Sequence, residues 1–187
     1  IAILSGSRLQ EVGRMLPVMA AAAPSYPDYQ FVVAAMDHLP ARLYEEIAAK
    51  YPVKIITGKT YDLLAVAEAA LVTSGTATLE AALFDVPQVV CYSTSPLTYN
   101  LAKAVIKVRF LSLVNLIMDR EVVRELIQAD LNSSGLHSEL AEILVTGYRN
   151  HVIKNDYSEL RSILGGGGAS QRVAADMVNN IKLKGGI

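Results

Sequence analysis

A segment rich in hydroxyl groups, residues 74–80 (SGTATLE), follows an apolar run and opens a stretch of helical pattern. Its glycine lets the backbone approach a ligand closely. The unpaired N–H groups of a helix start favour phosphate, and a carboxylate one turn later can accept hydrogen bonds from the hydroxyls of a ribose. The alternative is structural, with Ser74 as the N-cap and Glu80 completing a start that resembles a capping box. The candidate ligand-binding residues here are Ser74, Gly75, Thr76, Ala77 and Glu80.

A second segment of similar type, residues 5–8 (SGSR), also separates an apolar run from a helical pattern. The planar guanidinium group of Arg8 could hold a diphosphate by two parallel hydrogen bonds. The alternative is a capped helix start with a solvent-exposed arginine. The candidate residues of this segment are Gly6, Ser7 and Arg8.

Other reactive side chains carry weaker signals. The three histidines are scattered without the spacing of metal ligands, so we expect no metal site. Only His38 falls beside the candidate segments, where it could contact a ligand. Cys91 lies within an apolar run and is expected to be a buried small residue. Asn115, flanked by apolar residues, could close a turn through its own backbone.

The elements that must position these residues alternate along the first half of the chain. Apolar runs predict strands at 1–4, 31–35, 53–57, 70–73 and 88–92, and helical spacing predicts helices at 10–23, 41–50, 61–69 and 77–84. This alternation predicts an α/β fold, a Rossmann-like parallel sheet with helices on both faces. Both candidate segments then follow strands at the same edge of the sheet, where ligands of such sheets bind.

The pattern changes after residue 93. We expect helices at 97–108, 121–129, 138–146, 148–164 and 169–181, with a last short strand at 110–113. Residues 1–164 are expected to form one domain, and residues 165–187, which begin with a glycine run, a C-terminal helix and tail. The stretch 97–108 places Lys103 and Lys107 among apolar residues, which fits an ordinary surface helix or one that lies on a membrane.

Composition excludes several classes of protein. The 187 residues are 52% hydrophobic and 19% charged, which excludes intrinsic disorder. A net charge of −1 argues against a nucleic-acid partner. One cysteine allows no internal disulfide and favours a reducing compartment. No apolar run reaches the length of a membrane span. The chain starts at Ile1 without a methionine, so we expect it to be a piece of a longer protein.

Taken together, the motifs resemble the C-terminal half of lipid-A-disaccharide synthases. Residues 3–8 (ILSGSR), with Glu11 and a Leu-Pro pair at 16–17, resemble that family's LPGSR opening, and residues 72–80 (VTSGTATLE) are similar to its SGTATLE motif. Residues 112–117 (SLVNLI) and 121–128 (EVVRELIQ) are similar to its LPNLI and ELIQ segment. Ser5 and Val114 stand where the family more often has proline.

The resemblance implies an inverting glycosyltransferase of the GT-B arrangement, in which two Rossmann-like domains face each other and this chain is the second. The enzyme transfers diacylglucosamine from UDP-2,3-diacylglucosamine to lipid X, releasing UDP, and needs no metal or other cofactor. By this resemblance the backbone at 75–77 binds the diphosphate, and Glu80 holds the ribose. Arg8 and Ser7 stabilise the departing UDP, and Asn115 touches the donor, so that Arg8 and Asn115 are the catalytic candidates.

The missing first half would then hold the general base and the groove for acyl chains. We expect the piece alone to bind UDP weakly, if at all, and to turn over nothing. Acylated substrates imply a peripheral enzyme on the cytoplasmic face of the bacterial inner membrane. The surface left by the missing half would favour self-association, so a homodimer is one expectation.

Two other interpretations of the function fit the same residues. One is another GT-B enzyme that uses a UDP-sugar, such as a UDP-N-acetylglucosamine 2-epimerase or the peptidoglycan N-acetylglucosamine transferase. The other is a non-catalytic nucleotide-binding domain of flavodoxin-like shape. The SGTATLE segment together with ELIQ favours the lipid A enzyme.

Overall fold

The architecture is built on one parallel sheet. The computed structural model describes residues 1–95, 99, 109–144, 146–165, 173–174 and 177–178. Six strands pair in the order β3-β2-β1-β4-β5-β6, and every neighbouring pair is parallel. They are β1 (Ala2–Leu4), β2 (Phe31–Ala35), β3 (Val53–Thr57), β4 (Ala70–Thr73), β5 (Gln88–Tyr92) and β6 (Arg124–Ile127).

The helices that connect and follow these strands cover both faces of the sheet. They are α1 (Leu9–Ala20), α2 (Ala41–Ala48), α3 (Thr60–Val66), α4 (Thr76–Leu83), α5 (Leu113–Met118), α6 (Ser133–Ile143) and α7 (Tyr148–Leu164). Short 3₁₀ turns cover Ala23–Ser25 and Gln128–Asp130.

Alternate residues of the central strands face opposite layers of the core. Ile3 and Leu71 belong to a large cluster that contains the buried residues of α1 and α2. Leu4 and Val72, one residue further along, belong to a second cluster with buried leucines of α3. Because a strand turns its side chains alternately to its two faces, β1, β2 and β4 are buried along almost their whole length, and the α/β class with helices on both faces is confirmed.

Four of the predicted strands, at 31–35, 53–57, 70–73 and 88–92, are confirmed to the residue, and β1 occupies 2–4 of the predicted 1–4. The predicted helices at 10–23, 41–50, 61–69 and 77–84 correspond to α1 to α4, and their ends differ by at most three residues. Helix α7 has the predicted bounds. These elements are set by local apolar patterns, which the sequence shows directly.

Two predictions between residues 110 and 129 are wrong. The strand expected at 110–113 is absent, because Ser112 caps α5 by accepting a hydrogen bond from the N–H of Asn115. The helix expected at 121–129 is instead β6, which pairs with β5 in the register Tyr92↔Ile127. The polar residues Glu121, Arg124, Glu125 and Gln128 stand at helical spacing, but pairing with the free edge of β5 and the burial of Leu126 decide the conformation.

The remaining C-terminal predictions have mixed outcomes. The helix expected at 138–146 is α6, which begins five residues earlier because the Asn132 side chain caps it by accepting from the Gly135 N–H. The helix expected at 97–108 and most of that at 169–181 lie outside the described residues. Among the described residues, no helix combines the length and apolarity needed to cross a bilayer. The division of the chain at residue 165 stays a prediction.

Candidate functional site

A cleft of about 710 Å³ opens at the carboxyl edge of the sheet, between β1 and β4. From β1 the chain continues into α1, which packs on one face of the sheet. From β4 it continues into α4, which packs with α3 on the opposite face. The strand order therefore reverses at this point, and such a switch point is where open α/β sheets bind ligands. Arg8 and Glu80, from the two candidate segments, line this one cleft.

The start of α4 offers free hydrogen-bond donors to the cleft. Gly75 is its N-cap, with φ of 151°, a backbone angle that favours glycine. A Cβ at this position would meet nothing within 4 Å, so the backbone angle and not crowding requires glycine. No described residue accepts a hydrogen bond from the N–H groups of Thr76 or Ala77. The first turn of α4 is therefore open to an anion.

The hydroxyl groups of Ser74 and Thr78 donate hydrogen bonds to backbone carbonyls of the protein. Ser74 Oγ donates to the carbonyl of Leu111 at 2.8 Å, and Thr78 Oγ1 donates to the carbonyl of Gly75 at 2.7 Å. The structural alternative, with Ser74 as N-cap, is wrong, because Gly75 holds that position and no side chain caps the helix. The Glu80 carboxylate is half-buried in the cleft wall and makes no hydrogen bond to the described residues.

The segment at residues 5–8 differs, because its backbone N–H donors already have an acceptor within the protein. Glu11 Oε2 accepts from the N–H groups of Ser7 at 3.3 Å and Arg8 at 3.4 Å, and Oε1 lies 2.8 Å from Arg8 Nη1. Gly6 has φ of 104°, and a Cβ there would stand 2.9 Å from the same carboxylate, so glycine is required by this internal cap. The Arg8 side chain is 81% exposed and its remaining donors face solvent at the rim of the cleft.

Asn115 is not among the residues that line the cleft. Its side chain is completely buried. Its Oδ1 accepts from the N–H groups of Val122 (2.8 Å) and Val123 (3.0 Å), and its Nδ2 donates to the Val123 carbonyl (2.8 Å) and to Glu125 (2.9 Å). The expected closure of a turn through its own backbone is wrong, because the Asn115 side chain bonds backbone seven and eight residues ahead of it. It ties α5 to the start of β6.

Part of the cleft wall consists of residues that were not among the predicted site residues. Lys59, Tyr61 and Met36 follow β3 and β2 and line the same cleft. The Tyr61 ring is 57% exposed and stacks on Phe84 with 5.5 Å between ring centroids. The signal was available, since the loops after all these strands share one edge. His38 lies at that edge too, but its Nε2 is 2.9 Å from the Ser7 carbonyl and it does not line the cleft.

Two further observations concern reactive groups. The Cys91 thiol is fully buried in β5, and burial raises its pKa well above the ordinary range, so it stays protonated. Within the described ranges, no three His, Cys, Asp or Glu side chains are grouped as metal ligands would be.

The chain is similar in sequence to known proteins. The chain is 39% identical to the lipid-A-disaccharide synthase of Syntrophus aciditrophicus (strain SB), over 97% of this chain and 49% of that protein. It is 36% identical to the lipid-A-disaccharide synthase of Psychromonas ingrahamii, over 97% of this chain and 50% of that protein. The chain thus spans about half the length of the curated relatives it matches.

Solved structures agree on the fold. A crystal structure of TarM superposes with a TM-score of 0.56 at 13% identity, covering 95% of this chain and 34% of that one. A crystal structure of the GtfA/B complex gives a TM-score of 0.52 at 10% identity, covering 84% and 31%. The model of the lipid-A-disaccharide synthetase family matches residues 1–176, so the chain belongs to that family.

Proposed function

We propose that this chain is the nucleotide-binding half of a lipid-A-disaccharide synthase. The whole enzyme transfers 2,3-diacylglucosamine from its UDP donor to lipid X, forms a β-1,6 bond and releases UDP. The family match and the coverage of about half of each relative support this assignment. The observation that carries it is the switch-point cleft, where the N–H groups of Thr76 and Ala77, which have no acceptor among the described residues, lie beside Arg8 and Glu80.

Each side of the cleft has a part in the proposed reaction. The N–H groups of Thr76 and Ala77 bind the diphosphate at the positive end of α4. Glu80, half-buried and without a protein partner among the described residues, accepts hydrogen bonds from the ribose hydroxyls. As the acceptor's hydroxyl attacks the anomeric carbon and gives its proton to a general base in the other half of the enzyme, the bond to UDP breaks and negative charge grows on the leaving diphosphate. Arg8, with Ser7 beside it, neutralises that charge.

Arg8 must exchange partners for this role. In the structure its Nη1 is paired with Glu11, but the pair is exposed and of the i,i+3 type, which contributes well under ~1 kcal/mol. A diphosphate that carries several charges in the same cleft competes easily for the guanidinium group. Asn115 does not reach the cleft in this geometry, so we propose that it supports the site by fixing α5 against β6 and does not touch the donor.

The test uses a proline to remove one donor. Thr76 is the first residue of α4, where proline is tolerated because its missing N–H has no partner within the helix. In the full-length enzyme, we expect Thr76→Pro to weaken UDP binding by about 10-fold or more, the loss of a hydrogen bond to a charged group. Isothermal titration calorimetry measures this.

Ser133→Pro is the matched control, since Ser133 is the first residue of α6, which lies outside the cleft. It should leave the affinity for UDP unchanged. If the wild-type enzyme fails to bind UDP, or if Thr76→Pro binds it like the wild type, the assignment of the diphosphate to α4 is wrong. Consumption of lipid X together with the acylated UDP donor, and of no unacylated UDP-sugar, distinguishes this activity from an epimerase.

The proposal extends to the membrane. Both substrates carry acyl chains, so we propose that the enzyme works peripherally on the cytoplasmic face of the inner membrane. The stretch 97–108 is the candidate contact, because it carries Lys103 and Lys107 among apolar residues. Charge reversal at both lysines should reduce sedimentation with anionic liposomes; unreduced sedimentation would assign membrane contact elsewhere. Analytical ultracentrifugation tests the expected homodimer.

A further inference from the structure

The floor of the cleft contains two hydroxyl groups that the proposed roles do not use. Ser5 follows β1 and is 1% exposed, and Thr73 ends β4 and is 6% exposed. Neither hydroxyl oxygen has a hydrogen-bond partner within the part of the chain that the structure describes. Buried hydroxyls are nearly always paired, since leaving one unpaired costs free energy. This pair therefore needs an explanation.

The two residues are neighbours. Strands β1 and β4 are parallel and in register, with Leu4 opposite Val72, so the next pair along both strands is Ser5 and Thr73. Residues in register on neighbouring parallel strands point to the same face, and the strands are less than about 5 Å apart. Both residues line the switch-point cleft. The floor thus carries two adjacent hydroxyls, one from each strand at the switch point.

Several neighbouring hydroxyl and N–H groups do have partners. Ser74 and Thr78 donate to loop carbonyls, and the N–H groups of Ser7 and Arg8 donate to Glu11. These polar groups therefore have hydrogen-bond partners within the protein itself. Among the buried side-chain polar atoms of the described residues that line the cleft, the hydroxyl oxygens of Ser5 and Thr73 are the two without a partner.

We infer that Ser5 and Thr73 donate hydrogen bonds from the floor of the cleft to a phosphate oxygen of the bound nucleotide. A hydroxyl can donate one hydrogen bond, and a phosphate oxygen only accepts, so the two chemistries are complementary. The free N–H groups of Thr76 and Ala77 favour an anion in the same cleft. This inference rests on the proposed function and adds two donors to it, one of which, Ser5, stands where the family more often has proline.

The experiment removes each hydroxyl in the full-length enzyme, by Ser5→Ala and by Thr73→Val. UDP, uridine and inorganic pyrophosphate are titrated separately by calorimetry. We expect each substitution to weaken binding of UDP and of pyrophosphate by about 5- to 10-fold, as for loss of a hydrogen bond to a charged acceptor. Binding of uridine, which lacks phosphate, should not change. Thr57→Val is the matched control, because Thr57 ends β3 at the same sheet edge but does not line the cleft.

A second measurement separates ligand binding from a structural role. Without ligand, the midpoint of thermal unfolding should stay the same or rise in both variants, because the substitution removes a buried hydroxyl that had no partner. Unchanged affinity for UDP, equal losses for UDP and uridine, or a lower midpoint without ligand would each overturn the inference. A wild-type enzyme that does not bind UDP would refute the proposed function first, and this inference with it.

Discussion

Replacement of Asn115 by alanine tests whether this residue supports the fold or contacts a substrate. Its carboxamide makes four hydrogen bonds, two of them as acceptor from the N–H groups of Val122 and Val123, which are 2% and 0% exposed. The substitution leaves both buried donors unpaired, at a cost of about 1–3 kcal/mol each. We therefore expect Asn115→Ala to lower the free energy of unfolding by about 3–5 kcal/mol.

Urea unfolding of the chain, followed by circular dichroism, measures this loss. A loss of that size lowers the thermal midpoint by about 6–20 °C in a domain of this length. Asn132→Ala is the control, because Asn132 also accepts from a backbone N–H, that of Gly135, but is exposed at the start of α6. Removal of such a cap should cost only about 1 kcal/mol.

Replacement by aspartate separates the acceptor from the donor role. Asn115→Asp retains an oxygen for the N–H groups of Val122 and Val123, but a carboxylate cannot donate to the Val123 carbonyl and lies beside the Glu125 carboxylate. We expect a smaller destabilisation that grows as pH rises through the carboxyl range, since repulsion requires both groups to be charged. If Asn115→Ala loses less than about 1 kcal/mol of stability while turnover by the full-length enzyme collapses, the structural interpretation is wrong and direct contact with the donor is correct.

The remaining predictions concern the cleft and the core. Arg8→Ala should lower turnover by about 10²-fold, as for loss of a preorganised charge-stabilising group, without changing the thermal midpoint, because the side chain is 81% exposed; unchanged turnover in a steady-state assay would remove Arg8 from the mechanism. Glu80→Gln should weaken binding of UDP by about 10-fold and that of its 2′-deoxy analogue much less; equal losses in calorimetry would argue against a ribose contact. Cys91 should resist thiol reagents until the protein unfolds, because burial raises its pKa. Since the unfolded thiol ionises in the ordinary range and the native thiol does not, urea titrations should show stability falling as pH rises above about 8.5; rapid labelling of the native protein would contradict this burial.

The strands of the sheet could be predicted from the sequence where their burial requires a run of apolar residues. Strands β2, β4 and β5 are mostly apolar and buried because helices cover both of their faces, and such runs are visible in a single sequence. Strand β6 is not such a run, since Arg124 and Glu125 are only half-buried at the edge of the sheet. Its conformation depends on pairing with β5, a contact between residues more than thirty positions apart. Charge spacing alone therefore favoured a helix there.

The site was predictable to the level of loops, but not of individual atoms. The switch point follows from strand order, and the two SG-containing loops fall on it. Which hydroxyls remain free depends on tertiary contacts, such as the bond from Ser74 to Leu111. Asn115 shows the same limit, because its partners become neighbours only when β6 joins the sheet.

The two loops also show how similar sequences differ in their hydrogen bonding at a helix start. In α1 the third helical residue is Glu11, and its carboxylate accepts hydrogen bonds from the N–H groups of Ser7 and Arg8. A side chain of the helix itself therefore occupies the position where an anion would bind. In α4 the first turn has no acidic residue, and the nearest carboxylate, Glu80, lies two positions too far along to reach back as a cap. The N–H groups of Thr76 and Ala77 therefore have no acceptor among the described residues, while the first segment brings the Arg8 side chain to the cleft. A helix start after a strand is a candidate phosphate site only when its own first turn has no carboxylate to occupy it.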